Sequence, residues 1–464
     1  MSDRHRQETR PTFRSLGVAI EICQALEDAG MPTAFAIQEL TLPIALAGQD
    51  LTGQARTGMG KTLGFGVPLL DRVFDDANVS ELDGSVRALV VVPTRELCVQ
   101  VTEDLQLAAR NLSIPADRLD LSPARQPRDG QYPITVTSIY GGVPFEPQIQ
   151  TLRDGCDVVV GTPGRLIDLN KRGELDLSTV EIVVLDEADE MLDQGFLDDI
   201  QYILKRTSPD RQTMLFSATM PGPIMALSRT FMKRPVLIQT DDSATAATHE
   251  QVRQIVFQSH WMDRMSALSR ILQTPKRGRT IIFTPTKRRT ARVAEDLAKL
   301  GFNVGAVHGD MRQPERERSL ELFRTKSVDI MVATDVAARG IDVTDVTHVI
   351  NFQVPENHRT YVHRIGRTAR AGKSGMAITL LDFDELPRWK AIDSELGLDL
   401  AEPPQWFSST PEFLDTFDLP PNPAALSDQV GEPRKVRGSS AATAPARYRT
   451  RPYRGAPRGR GGRG

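Results

Sequence analysis

The sequence predicts two tandem α/β domains, each a parallel sheet flanked by helices, followed by a basic C-terminal tail. Three observations carry this. Short β-branched runs, apolar on both faces, recur with helical patterns between them, which is how parallel strands covered on both sides read. The runs fall into two groups, divided by a polar stretch without periodicity at 240–250. Residues 433–464 differ in composition from everything before them, being rich in Arg and Gly and free of acids. A length of 464 residues suits two to three domains at about 150 residues each.

The first group of expected strands is Ala88–Val92, Asp157–Val160, Glu181–Leu185 and Thr213–Phe216. The second is Thr280–Phe283, Asn303–Val307, Asp329–Ala333, Thr347–Asn351 and Met376–Leu380. Each is bounded by Gly, Pro, Asp or Thr, residues that end regular structure. Between the first two, residues 113–135 read as a long surface loop rich in Pro and charge. The expected units are a first domain over 1–240, a linker over 241–250 and a second domain over 251–385. Strand–helix alternation then stops, leaving an acidic extension over 386–432 and a disordered basic tail over 433–464. The formal charge of −3 therefore hides an acidic body and a strongly basic end.

Several classes are excluded. No run approaches the roughly 18 apolar residues of a membrane span, and the first residues lack the apolar segment of a secretory signal. Three cysteines far apart, Cys23, Cys98 and Cys156, make neither a disulfide framework nor a Cys-rich zinc site and suit a reducing compartment. A cytoplasmic protein without a membrane partner is expected.

Ala55-Arg56-Thr57-Gly58-Met59-Gly60-Lys61-Thr62 has the make-up of a phosphate-cradling loop. Small residues let backbone N–H groups converge on phosphates, Lys61 can reach the terminal ones, and the Thr62 hydroxyl can meet Mg²⁺. Ala55 stands where such loops usually begin with Gly. Val183-Val184-Leu185 runs into Asp186-Glu187-Ala188-Asp189, placing carboxylates at the C-terminal end of a strand, where α/β sheets bind ligands. Asp186 can hold Mg²⁺ through water, and Glu187 can orient or deprotonate an attacking water.

Other short patterns follow in order. Gly30-Met31 stands near Ile37-Gln38, with Phe13 upstream, and then come Pro93-Thr94-Arg95-Glu96-Leu97, Gly141-Gly142, Thr162-Pro163-Gly164-Arg165 and Ser217-Ala218-Thr219. The later half contains Ile282-Phe283-Thr284, His308-Gly309-Asp310, Gln313 to Arg316, Ala333 to Asp342, and His363 to Arg370. Together with Asp186–Asp189 these resemble the motifs of the DEAD-box ATP-dependent RNA helicases of superfamily 2, bacterial type, over about residues 13–382. One departure is that Ala34-Phe35-Ala36 replaces the family's Pro-Thr-Pro.

The resemblance implies two RecA-like domains, ATP and Mg²⁺ as cofactors, and RNA as the partner, with ribosome-assembly or RNA-decay proteins as candidates beside it. Phe13 would stack on the adenine and Gln38 would read its edge, while Ala55 through Thr62 and Asp342 would hold the rest of the nucleotide. Lys61, Asp186, Glu187, Arg367 and Arg370 would be catalytic, the two arginines acting as fingers on the γ-phosphate. Asp189, Ser217, Thr219 and His363 would couple the nucleotide to the second domain. RNA would lie on Pro93, Thr94, Arg95, Gly142, Thr162, Gly164 and Arg165, and across on Gly309, Gln313, Arg316, Thr334 and Asp335. Such groups hold phosphate and sugar and carry no sequence information. The implied activity is ATP-driven RNA unwinding or remodelling by closure of two lobes on a single strand, the alternative being an ATP-gated RNA clamp that unwinds little. Beside such a core, the Tyr448 and Tyr453 of the basic tail, set among arginines, match the make-up of RNA-tethering Arg/Gly segments.

Overall fold

A computed structural model describes residues 10–55, 59–75, 79, 82–116, 127, 129–239, 252–275, 277–338, 343, 345–369, 374–422 and 427–438. The expected linker at 241–250 and nearly all of the basic tail lie outside them.

The first lobe contains β1 (Leu51–Gln54), β2 (Ala88–Val91), β3 (Ser113–Pro115), β4 (Gln131–Pro133), β5 (Val136–Ile139), β6 (Val158–Gly161), β7 (Ile182–Leu185), β8 (Gln212–Ser217) and β9 (Val236–Gln239). Seven of these form a parallel sheet in the order β5-β6-β2-β7-β8-β1-β9. The second lobe contains β10 (Val252–Gln258), β11 (Arg279–Phe283), β12 (Val304–Val307), β13 (Ile330–Ala333), β14 (Val346–Asn351) and β15 (Gly375–Leu381), parallel in the order β10-β15-β14-β11-β13-β12.

Both faces of each sheet are covered, as the doubly apolar runs require. Along β2, Ala88 and Val90 pack into one apolar cluster and Leu89 and Val91 into another. In the second lobe Ile282 goes to one side while Ile281 and Phe283 go to the other. Among the described residues, no helix is long and apolar enough to cross a membrane.

Three local expectations change. The stretch 113–135 is not wholly loop, because β3 and β4 pair antiparallel at its two ends. Strands β1, β5, β9 and β10 occur without a clear apolar run. In β1 the reason is packing: a Cβ on Gly53 would lie 2.6 Å from the Phe216 ring, so only Gly fits there. The third change is the acidic extension, which belongs to the second lobe. The helix Leu386–Leu396 buries Trp389 and Ile392, with Trp389 edge-on to Tyr361 at 5.3 Å. The helix Pro411–Thr416 sends Phe413 and Leu414 into the core around Phe257. Composition counted the acids on the outer face and passed over the apolar residues between them.

The lobes meet where segments beyond the C-terminal ends of their strands face each other. Arg316 Nη2 lies 2.9 Å from Glu96 Oε1, Arg95 Nη1 donates to Gln313 Oε1 at 3.3 Å, and His363 Nδ1 stands 3.9 Å from Glu190 Oε1.

Candidate active site

Strand β1 leads through Ala55, whose N–H donates to the Ser217 carbonyl, into Gly60, where the helix Lys61–Asp75 begins. This is the strand–loop–helix that a phosphate loop needs, although Arg56, Thr57 and Gly58 fall outside the described residues. Met59 packs against the core. Gly60 has φ +80°, and a Cβ there would meet Gln38 Nε2 at 2.6 Å. Both conformation and crowding therefore demand glycine.

Lys61 is buried at the helix start, and its Nζ lies 3.7 Å from Asp186 Oδ1. The ammonium finds no hydrogen-bond acceptor among the described residues. A buried donor left in this way costs free energy that phosphate oxygens would offset. Burial pulls the Lys61 pKa down, but Asp186, Glu187, Asp189 and Glu190 outweigh it and the net shift is upward. Burial pushes Asp186 up to about 6, with Lys61 opposing and Glu187 adding to the rise. An oxygen set of the Asp186 carboxylate, the Thr62 hydroxyl and a triphosphate suits a hard divalent cation held largely through water. The residues present therefore fit Mg²⁺.

Glu187 adopts φ +52° and ψ +49°, a left-handed conformation that costs a non-glycine residue on the order of 1–3 kcal/mol. Its N–H donates to Asp186 Oδ1 at 2.9 Å, which ties the bend to the neighbouring carboxylate. Strain of this kind gathers where side-chain direction matters more than stability.

The expected coupling residues come together. Asp189 Oδ2 accepts from the Thr219 N–H at 2.9 Å and the Thr219 hydroxyl at 2.8 Å. The Ser217 hydroxyl accepts from the Asp189 N–H and donates to the Thr219 carbonyl. Burial would raise the Asp189 pKa, yet His363 of the second lobe and the Thr219 hydroxyl bring it below the usual carboxylate range. Glu190, which the sequence reading did not select, is buried and is the acid nearest His363. Arg367 lies buried just past the helix His358–Ile365 and lines a small interlobe cavity with Glu190 and His363. Arg370 and Asp342 lie outside the described residues.

At the base end, Gln38 is buried, accepting from the Phe35 N–H at 2.8 Å and donating to the Gly60 carbonyl at 2.8 Å. An amide has a further N–H and lone pair with which to read a base. Phe13 does not present its ring to a base: it is 2% exposed within the first lobe's core, where an apolar ring gains most from burial. The open aromatic beside Gly60 is Phe35, 45% exposed, with the Arg10 guanidinium 4.9 Å from its centroid. The departure from Pro-Thr-Pro was the sequence signal for it.

The expected RNA residues sit mostly at helix N-termini, where backbone N–H groups and the helix dipole favour anions. Thr162 and Gly164 open the helix Pro163–Lys171, and the Thr162 hydroxyl is not used as a cap. Buried Pro93 precedes Thr94, which caps the helix Arg95–Ala109 by accepting from the Leu97 N–H. Gly142 has φ +85°, and a Cβ there would stand 2.0 Å from Arg95 Nη1, so this glycine makes room for Arg95. Gly309 is exposed, and Thr334 closes β13 just ahead of the short helix Asp335–Ala338.

Three of these residues act differently from expectation. Arg165 is buried, donating to Gln148 Oε1 and the Val143 carbonyl and stacking on Phe145, so it braces the Gly142 loop from inside. Both Asp335 oxygens accept from Arg364, at 2.6 and 2.8 Å, which leaves the carboxylate bound within its own lobe. Gln313 and Arg316 reach Arg95 and Glu96 of the other lobe, and Glu96 was another residue not selected.

The DEAD/DEAH box helicase model matches residues 35–227, and the helicase conserved C-terminal domain model matches residues 263–372. The chain is 41% identical over 382 residues to the DEAD-box ATP-dependent RNA helicase CshA of Geobacillus kaustophilus, covering 82% of this chain and 76% of that one. The ATP-dependent RNA helicase CshA of Listeria monocytogenes is 39% identical, covering 82% of this chain and 68% of its own. Among solved structures, Dbp5 of S. cerevisiae bound to RNA and ADP BeF3 matches with a TM-score of 0.69 and 27% identity, over 85% of this chain and 95% of that chain. Mss116p bound to ssRNA and AMP-PNP matches with a TM-score of 0.73 and 27% identity, over 90% of this chain and 85% of that chain.

Proposed function

Because the chain belongs to the DEAD-box family of ATP-dependent RNA helicases, we propose that it hydrolyses ATP on RNA and opens duplexes locally by closing its two lobes on one strand. The observation that carries this reading is the continuous set of polar contacts running from the phosphate loop across the cleft. Lys61 meets Asp186, Asp189 holds Ser217 and Thr219, and Glu190 meets His363. The nucleotide site is thereby incomplete without the second lobe.

Lys61 meets the terminal phosphates, supplying the acceptors its buried ammonium lacks. Thr62 and Asp186 would hold Mg²⁺, Asp186 through water, and when bound the metal neutralises charge on the phosphates. Glu187 accepts the proton of the attacking water. Arg367, brought from the other lobe, meets charge developing on the γ-phosphate, an effect worth about 10³–10⁵-fold in other NTPases. Gln38 ties recognition of the base to Gly60 and so to the phosphate loop.

RNA that touches both Thr162–Gly164 and Gly309–Arg316 binds best when the lobes are joined. A strand bent to follow both sets of helix ends fits there, and a stiff A-form duplex does not. Joining the lobes thus peels one strand from the other, driven by the difference in affinity of the two lobe arrangements for the ligands. Loss of phosphate removes the reason to stay joined.

The test is a distance between lobes. The three native cysteines are buried, so Asp154→Cys and Glu395→Cys, at exposed positions on opposite lobes, accept a dye pair selectively. Energy transfer is expected to rise only when an ATP analogue and single-stranded RNA are both present. The same transfer in all four combinations of ligands overturns the mechanism.

A further inference from the structure

Residues 427–438 are firmly fastened to the second lobe, although no catalytic or coupling role calls for them there. Asp428 Oδ2 accepts from the Ser266 hydroxyl at 2.6 Å, its Oδ1 from Arg270 Nε at 3.3 Å, and its carbonyl from the Ser269 hydroxyl at 2.8 Å. Backbone bonds continue the attachment, from the Val430 N–H to the Leu300 carbonyl, from Arg434 to Ala298 and from Arg437 to Val304. Two glycines make the close fit possible. A Cβ on Gly301 would lie 2.6 Å from the Gly431 nitrogen, and one on Gly438, at φ +84°, would lie 2.1 Å from the Ser319 hydroxyl oxygen.

The direction of this segment is informative. Arg437 pairs with Gly305 in parallel, so the segment runs along the open side of β12, the last strand of its sheet, in the same direction as that strand. Covering an exposed edge is a use in itself. Beyond the end of β12, however, lie Gly309 and then the helix Gln313–Arg324, whose early residues Gln313 and Arg316 were read as RNA contacts. Gly309 is four residues past the level of Arg437, about 13 Å at the rise of an extended strand. Gly438 touches Ser319, three residues after Arg316 and therefore on a neighbouring part of the same helix face. The chain thus leaves Gly438 heading for the RNA-facing end of the lobe.

Its charge changes as it goes. The fastening half carries Asp428 and Glu432, whereas Arg434, Lys435 and Arg437 are exposed and no acid follows Glu432. The 26 residues after Gly438 contain seven arginines and can span at most about 90 Å. A polyanion lying beside the cleft is within their reach, and phosphate is the chemistry they match.

We propose that residues 427–438 are a strap that delivers the basic C-terminal segment onto RNA adjoining the strand held between the lobes. This rests on the RNA reading above and adds a second, sequence-independent contact whose position the strap sets. Attachment at a fixed point raises the local concentration of the arginines at that stretch of RNA, which a free tail launched elsewhere would not do.

The experiment compares binding of the full chain to single-stranded RNA of about six nucleotides, within the footprint of one binding module, and of about twenty. The full chain is expected to bind the longer RNA about tenfold more tightly, with the gain shrinking as salt rises. Removing 439–464 abolishes the gain. Releasing the strap by Asp428→Ala with Gly438→Val keeps every tail charge and reduces the gain to about threefold or less. In the unaltered chain, Lys435 is expected to be protected from amine-reactive reagent by the longer RNA and not by the shorter one. A gain that survives tail removal, a gain kept whole after strap release, or a Lys435 indifferent to RNA length each overturns the proposal. ATP hydrolysis stimulated by the short RNA is expected to persist in all variants. Its absence from the unaltered chain counts against the helicase reading instead, which separates the two failures.

Discussion

The two ends of the cleft handle charge in opposite ways. At the nucleotide end, below β7, β8 and β1, the carboxylates of Asp186, Glu187, Asp189 and Glu190 are all buried around the single ammonium of Lys61. At the RNA end, beyond β2, β6, β12 and β13, charge is arginine, and most of it is already paired: Arg316 with Glu96, Arg95 with Gln313, Arg165 with Gln148. The first arrangement is costly until cation and phosphate arrive, since like charges in low dielectric repel and raise each other's pKa. The second costs little and positions backbone N–H groups along a track. The difference follows from sheet order. One step from β2 to β7 passes from helix ends that hold a polymer to a strand end that does chemistry.

The sharpest way to separate the ends is to remove one charge from each. Glu187→Gln is expected to cut ATP turnover by about 10²–10⁴-fold, as loss of a positioned general base does, while ATP and RNA binding persist. Lys61→Ala loses nucleotide affinity as well, because it strips the buried site of its cation. Steady-state hydrolysis together with binding of a fluorescent nucleotide distinguishes them, and near-normal turnover in Glu187→Gln shows that the water-activating group lies elsewhere.

At the other end, Arg316→Ala and Glu96→Ala are each expected to raise the RNA concentration for half-maximal stimulation by about tenfold, leaving ATP affinity without RNA unchanged. The double variant is expected to be no worse than either single one, with a coupling of about 1–3 kcal/mol. Strictly additive losses mean that the two residues contact RNA separately and do not latch the lobes.

How much of this was legible in the sequence follows from the same contrast. Residues whose role is chemistry announce themselves by type and order: Lys61, Asp186, Glu187, Asp189, Ser217, Thr219 and His363 were selected, and the fold brings them together. All nine expected strands are present, because burial on both faces leaves an uninterrupted apolar run. Residues whose role is to hold others were harder to read. Arg165 and Asp335 carry the right groups for RNA but spend them inside their own lobes, a choice made by packing that spacing does not reveal. Glu96 and Glu190 became important only once the second lobe faced them. Phe13 and Phe35 exchanged places, one buried and one exposed, because the aromatic nearer Gly60 is the one the turn leaves outside. The acidic segment misled through composition, since Trp389 and Phe413 decide its fate and no count of charges includes them.

A smaller effect tests whether buried charge is really confined to the nucleotide end, because each lobe contains one interior group with a large shift. In the second lobe, burial first and Arg277 second bring the His348 imidazole down to about 4. Its Nδ1 lies 2.7 Å from the Thr347 hydroxyl, and its Nε2 is buried without a hydrogen-bond partner among the described residues. The folded chain therefore keeps His348 neutral while the unfolded chain protonates it near 6.5, so its contribution is complete above that pH and is lost as pH falls towards 4. Asp186 runs the other way. Its folded value of about 6 lies above the 3.8 of a free carboxyl, so the fold gains stability as pH falls through 6 and holds the full gain only below 3.8. Each pH unit inside either window is worth about 1 kcal/mol, and the two slopes oppose each other over most of the range. Thermal unfolding without nucleotide or magnesium, measured from neutral pH to about pH 5, is expected to show His348→Gln becoming relatively more stable than the parent on acidification and Asp186→Asn relatively less. Parallel curves for parent and Asp186→Asn place no buried carboxyl cost at the nucleotide end, and the contrast between the two ends of the cleft then fails at its first term.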